Sequence, residues 1–119
     1  MENVNKKDEM NSSAEKKSAT NGVYTHVFAE PWSYEGKVYD SITFDWNKLT
    51  GADSMAIEGE IQAMGKALIT PEFSGDYLIR MAARSSEPRI GIDVITAMPI
   101  SDFNKIRSRA RSFLLNLAP

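Results

Sequence analysis

Few residues of this 119-residue chain have the type and spacing that catalysis requires. The chain has no cysteine and a single histidine, His26, so thiol chemistry and a cluster of imidazole metal ligands are excluded. Glu58 and Glu60 are two residues apart in a predicted helix and point in different directions, which prevents a local acid–base pair. Asp40 and Asp45 fall on opposite faces of a predicted strand. The sequence therefore predicts a protein that is not an enzyme and uses no cofactor.

Charge is distributed unevenly along the chain. Residues 23–100 contain 6 basic and 11 acidic residues, whereas residues 101–119 contain 4 basic residues and 1 acidic residue. The basic side chains could bind phosphate, but they flank two sides of a predicted helix rather than form one patch, which disfavours nucleic acid. The distribution is consistent with head-to-tail self-association or with an acidic partner. The four cations are Lys105, Arg107, Arg109 and Arg111.

The periodicity of apolar residues predicts an α+β fold, with an N-terminal β-hairpin followed by three to four α-helices. Residues 24–46 alternate, which places Val38, Ile42, Phe44 and Trp46 on one face of the second strand and Tyr39 on the other, with a turn at Gly36. Helices are predicted from Thr50 to about residue 66, from Thr70 or Ser74 to about 85, over 92–98, and from a Ser101 cap to about 117.

Two of the predicted helices suggest how the domain packs. The last one has a continuous apolar stripe, typical of a core-facing helix, from which Leu115 points away. The first is apolar on two sides, since Ile57, Ile61 and Met64 lie nearly opposite a face formed by small residues and Met55. A helix of this kind must be covered twice, and in a small domain the second cover can come from another molecule. The small-residue face comprises Ala52, Met55, Ala56, Gly59 and Ala63.

Residues 1–22 are polar, with Val4 and two methionines as the sizeable apolar groups, and are predicted to be a disordered leader before a single domain over 23–119. The start of the chain has no apolar signal core, and its apolar runs are much shorter than the ~20 residues that a membrane span needs. We therefore expect a cytoplasmic protein with no membrane association.

Several segments resemble the tail assembly chaperones of long-tailed bacteriophages. The similarity covers about residues 24–117, with a hairpin of the form aromatic-x-G-K-x-Y leading through F-D into L-T-G-x-D and a helix. The matching segments are Trp32–Asp53 (WSYEGKVYDSITFDWNKLTGAD), Pro71–Tyr77 (PEFSGDY), Ala82–Arg84 (AAR), Met98–Phe103 (MPISDF) and Phe113–Leu115 (FLL).

The resemblance implies a non-enzymatic role with no catalytic residues. Such chaperones bind the tape-measure protein, a long and largely helical chain, and keep it soluble until tail-tube protein polymerises around it. They act in the host cytoplasm and are absent from the mature virion, and many also exist in a longer form made by ribosomal frameshifting. Tape-measure protein is thus the expected partner, with tail-tube protein and self-association as further expectations.

The residues that contact the partner are predicted from the amphipathic patterns and not from the family. We expect apolar contacts from Ile57, Ile61, Met64 and Leu115, with Arg107 and Arg111 as a basic rim. On this hypothesis Ile61→Asp abolishes partner binding without unfolding the domain. Two alternatives stay open: a structural tail subunit of the virion, and a small nucleic-acid-binding regulator.

Overall fold

The computed structural model describes residues 22–116, which form an α+β domain with a three-stranded antiparallel sheet and four α-helices. The predicted fold class is therefore confirmed. The predicted leader lies outside the described residues except for Gly22, and so does Leu117, the expected end of the last helix.

The sheet consists of β1 (Val23–Tyr34), β2 (Lys37–Asp45) and the short β3 (Ser86–Glu87), in the order β1-β2-β3. The predicted hairpin is present, with Tyr34 paired to Lys37 across a two-residue turn. Glu35 and Gly36 both have positive φ, 50° and 80°, which is typical of a type I′ turn. The turn is therefore tighter than the predicted one, in which Gly36 alone has positive φ. The third strand was not predicted, because two residues carry no periodic signal.

The pairing of β1 with β2 shifts register between Val27 and Trp32, at the segment that contains Pro31. Proline has no amide hydrogen for the ladder, so it fits an irregular position on an edge strand. Beyond the shift the buried positions of β2 change from even to odd numbers: Ile42 and Phe44 are buried, but so is Tyr39, whereas Val38 is 61% exposed. The predicted placement of Val38 on the apolar face and Tyr39 on the other is therefore wrong, since strict alternation does not continue through a bulge.

The helices are α1 (Gly51–Ala63), α2 (Gly75–Ser85), α3 (Ile92–Ala97) and α4 (Ile100–Leu115), with 3₁₀ turns at Trp46–Lys48 and Pro71–Phe73. Thr50 precedes α1, and the Asp53 carboxylate accepts hydrogen bonds from the Thr50 amide at 2.8 Å and hydroxyl at 3.1 Å. Ser74 caps α2 by accepting from the Tyr77 amide. The predicted Ser101 cap is wrong, because α4 begins at Ile100 with Pro99 as its N-cap residue, two positions before Ser101.

Helix α2 forms the centre of the core. Its buried residues include Leu78, Met81 and Ala82, and the helix packs against α1, α4 and the sheet side of the domain. Aromatic side chains continue this core across the sheet, where Phe44 stacks on Trp46 with ring centroids 5.4 Å apart. Ile106 and Ala110 of α4 are fully buried, so the apolar stripe predicted for the last helix does face the core.

Candidate partner-binding surfaces

Helix α1 buries one of its two apolar sides. Ile57 and Ile61 are each 1% exposed and belong to the core. The predicted contact role of these two isoleucines is therefore wrong, because each has larger apolar area to bury than the alanines opposite, and α2 covers it. Ile61→Asp would place a charge in the core, so we expect it to unfold the domain, contrary to the prediction from the sequence.

Polar contacts along the same side hold α1 against α2. The Ser54 hydroxyl lies 2.7 Å from the Tyr77 hydroxyl. Arg84 Nε donates to Asp53 Oδ1 at 2.9 Å, which joins the first turn of α1 to the last turn of α2. The hydrogen bond from the Thr50 amide is the main cause, and Arg84 a further cause, of a lowered pKa at Asp53. These contacts fix which side of α1 faces the core.

Glu60 extends this polar seam toward the end of α1. Its carboxylate lies 3.3 Å from Arg80 Nε and 3.6 Å from Arg84 Nη1. Arg80 also donates from Nη1 to Asp76 Oδ1, within α2. The cations of α2 are thus neutralised by carboxylates inside the domain, and this seam offers no free charge to a partner.

The opposite side of α1 is uncovered. Met55 is 73% exposed, and the small residues at the positions around it are also exposed. Their spacing places all of them on one face of the helix, which we call the outer face of α1. The prediction that α1 is apolar on two sides is therefore confirmed, but the side predicted to contact the partner is the one that faces the core. The outer face comprises Ala52, Met55, Ala56, Gly59 and Ala63.

Met64 and Leu115 are accessible, with 45% and 46% of their surface exposed. They do not form one patch. Met64 directly follows the C-terminal end of α1. Leu115 follows Leu114, which lines a groove together with Gly51 at the N-terminal end of α1. The two ends of a helix of this length are about 20 Å apart. Their part in partner binding stays a prediction.

That groove, with a volume of about 410 Å³, was not predicted from the sequence. It lies between the first 3₁₀ turn, the start of α1, α2 and the end of α4. No local pattern marks it, because its walls come from four separate segments whose apolar residues each look like core. Its apolar lining residues are Trp46, Leu49, Ile57, Met81, Phe113 and Leu114.

Arg107 and Arg111 lie away from α1, beside the start of α2. Arg111 Nε donates to the Glu72 carbonyl at 2.9 Å, and its guanidinium carbon lies 5.7 Å from the centre of the Phe73 ring. A Cβ atom added at Gly75 would lie 3.9 Å from Arg107 Nη1. These arginines therefore border the Phe73 side of the domain, and not the helix face for which they were predicted to form a rim.

His26 takes part in a buried hydrogen-bond chain. Its Nε2 donates to Asp102 Oδ1 at 2.7 Å, and its Nδ1 is hydrogen-bonded to the Tyr24 hydroxyl at 2.8 Å. Burial raises the pKa of the Tyr24 hydroxyl, Arg109 opposes this shift, and Asp102 adds to it. With the ring 1% exposed and both nitrogens bonded, this chain ties α4 to β1 and leaves no imidazole nitrogen for a substrate.

Within residues 22–116, no group of three His, Cys, Asp or Glu side chains could hold a metal ion. In the same range, no helix is both long enough and apolar enough to cross a membrane.

Comparison with protein-family models, with curated proteins and with solved structures gives no significant match in any of the three.

Proposed function

We propose that this protein is a non-enzymatic tail assembly chaperone of a long-tailed bacteriophage, which binds the tape-measure protein in the host cytoplasm and is not retained in the virion. The observation that carries the proposal is the uncovered outer face of α1. The resemblance of the sequence motifs supports the proposed family, and the outer face is a surface to which an apolar helix can bind.

The outer face suits a helical partner. Ala52, Ala56, Gly59 and Ala63 have little or no side chain, so a second helix can approach closely. Met55 stands among them as a flexible, apolar contact that can adapt to different partner sequences. A long helical protein with an apolar stripe exposes surface that promotes aggregation, and covering it from outside keeps such a protein soluble.

The size of the face favours reversible binding. Helix α1 has 13 residues and is about 20 Å long, so it spans roughly four turns of a partner helix. Stable protein complexes bury about 800 Å² on each partner, which is more than one such helix face provides. Several chaperone molecules would therefore bind along one tape-measure chain, each weakly enough to be displaced when tube protein assembles.

Co-expression with the tape-measure protein of the same phage tests the proposal. The measurement is the soluble fraction of that protein with wild-type chaperone, with Met55→Glu, and with Val27→Glu as a matched control. Val27 is an exposed apolar residue of β1, so the control makes the same kind of substitution on another surface.

We expect wild type and Val27→Glu to keep the partner soluble, and Met55→Glu to give the level seen without chaperone. Equal rescue by Met55→Glu would refute the role of the outer face. Immunoblots of purified particles test the second part of the proposal. The protein should be absent from them, and a stoichiometric amount would identify a structural tail subunit instead.

A further inference from the structure

A second exposed apolar surface lies in the segment between α1 and α2. Ile69 is 89% exposed and Phe73 is 65% exposed. Both line a shallow groove of about 340 Å³ whose other walls are Ala67, Leu68, Thr70 and Ser74. We call this surface the Phe73 patch. It is formed by elements other than the outer face of α1, so it can bind independently of that face.

The patch is bordered by cations that carboxylates inside the domain do not neutralise. Arg111 lies over the Phe73 ring, and Arg107 lies beside Gly75, the first residue of α2. Neither arginine forms an ion pair with a carboxylate of residues 22–116, whereas Arg80 and Arg84 both do. Arg107 instead lies over the ring of Phe103 and donates to the side-chain oxygen of Asn104.

No carboxylate of residues 22–116 occupies the N–H groups of these two arginines. Asp76 is occupied by Lys66 and Arg80. Glu72 offers Arg111 its main-chain carbonyl, and its carboxylate forms no ion pair within the described part of the chain. The surface thus combines exposed apolar groups with two cations that can each donate hydrogen bonds to a carboxylate.

We infer that the Phe73 patch binds an acidic peptide segment that carries apolar side chains. Phe73 and Ile69 would contact the apolar side chains of that segment, and Arg107 and Arg111 would pair with its carboxylates. Arginine suits this role because its planar guanidinium can stack on an aromatic ring while its N–H groups donate to a carboxylate. The inference goes beyond the proposed function, since it holds whether or not α1 binds a tape-measure helix.

An acidic peptide fits this surface better than nucleic acid does. The most exposed groups of the patch are the aliphatic Ile69 and the aromatic Phe73, and its two arginines lie at the border. A phosphate backbone has no apolar side chains and would gain little from Ile69, and two cations at one border are few for a polyanion. An acidic segment would meet the two arginines at the border and exclude water from the apolar centre.

Selection of short random peptides on the full-length protein tests the inference, because the probe does not presuppose a sequence. The most enriched peptide is then labelled with fluorescein, and its dissociation constant is measured by anisotropy. The variants are Phe73→Ser, Ile69→Ser and Arg107→Glu, with Lys105→Glu as the matched control. Lys105 is an exposed cation of the same helix, so the control makes the same charge change two positions away.

We expect the enriched peptides to combine Asp or Glu with Leu, Ile or Phe. Phe73→Ser should weaken binding about tenfold, and Arg107→Glu about three- to tenfold, whereas Lys105→Glu should change it less than about twofold. Ile69→Ser, at the most exposed position, should also weaken binding, and it keeps the test decisive if Phe73→Ser lowers the stability of the domain.

Four results would overturn the inference. The selection could enrich no peptide or only basic ones. Phe73→Ser and Ile69→Ser could both leave the affinity unchanged, or Lys105→Glu could weaken binding as much as Arg107→Glu. A labelled single-stranded oligonucleotide could bind and compete with the peptide, which would identify the surface as a nucleic-acid site. Loss of tape-measure rescue by Met55→Glu has no bearing on these measurements, so the two proposals can fail separately.

Discussion

Replacing Ile61 with alanine separates the two sides of α1 by their effect on stability. The substitution removes three carbon atoms from a side chain that is 1% exposed. At about 0.8 kcal/mol for each buried carbon, the lost transfer free energy is about 2.4 kcal/mol. A residual cavity of roughly 40 Å³ would add about 1 kcal/mol. We therefore expect the free energy of unfolding to fall by about 3 kcal/mol, a large part of the 5–15 kcal/mol typical of a domain.

Urea unfolding followed by tryptophan fluorescence measures this change. With a urea dependence of about 1–3 kcal/mol per molar, the midpoint should fall by about 1–3 M. Met55→Ala is the matched control, since Met55 lies on the same helix but is mostly exposed and should change stability by less than about 0.5 kcal/mol. The assignment of the two sides would be refuted if Ile61→Ala unfolds like wild type, or if Met55→Ala costs as much as Ile61→Ala.

Two further predictions concern the polar contacts. Because the pKa of Asp53 is lowered in the folded state, its carboxylate stabilises the fold above the unfolded-state pKa, and this contribution is lost as the pH falls through the folded-state pKa. Asp53→Asn should therefore lower the urea midpoint at pH 7. It should also flatten the dependence of the urea midpoint on pH below about 4. Parallel pH profiles for the two proteins would contradict this. Asp102→Ala leaves the buried Nε2 of His26 without an acceptor and should cost about 1–3 kcal/mol, and an unchanged midpoint would show that the bond does not hold α4 to β1.

The positions of the helices could be predicted because the signals that set them are local. Thr50 and Asp53 mark the start of α1, and Ser74 caps α2, each within one turn of the helix it begins. The predicted start of α4 is two residues too late because Pro99, whose φ of −57° fits a helix entrance, is the N-cap residue in place of Ser101. Local chemistry thus fixes where helices lie along the chain.

The side of α1 that meets the core could not be obtained from periodicity, because both sides are apolar. The choice depends on α2, whose Tyr77 and Arg84 meet α1 from a distant part of the chain. One signal was present in the sequence: the side with Ile57 and Ile61 has more apolar area to bury than a side made mostly of alanine and glycine. The Phe73 patch could not be predicted for a related reason. Whether Ile69 is exposed depends on how the chain folds, and the spacing of apolar residues along the sequence does not determine it.

Photo-crosslinking from position 55 tests most directly whether the outer face of α1 binds the partner. A photoreactive amino acid is introduced at Met55, and separately at Val27 as a control, in protein co-expressed with the proposed tape-measure partner. Binding at the outer face predicts a covalent adduct with that protein from position 55 and none from position 27. Adducts from position 27 alone, or from neither position while the partner stays soluble, would contradict it.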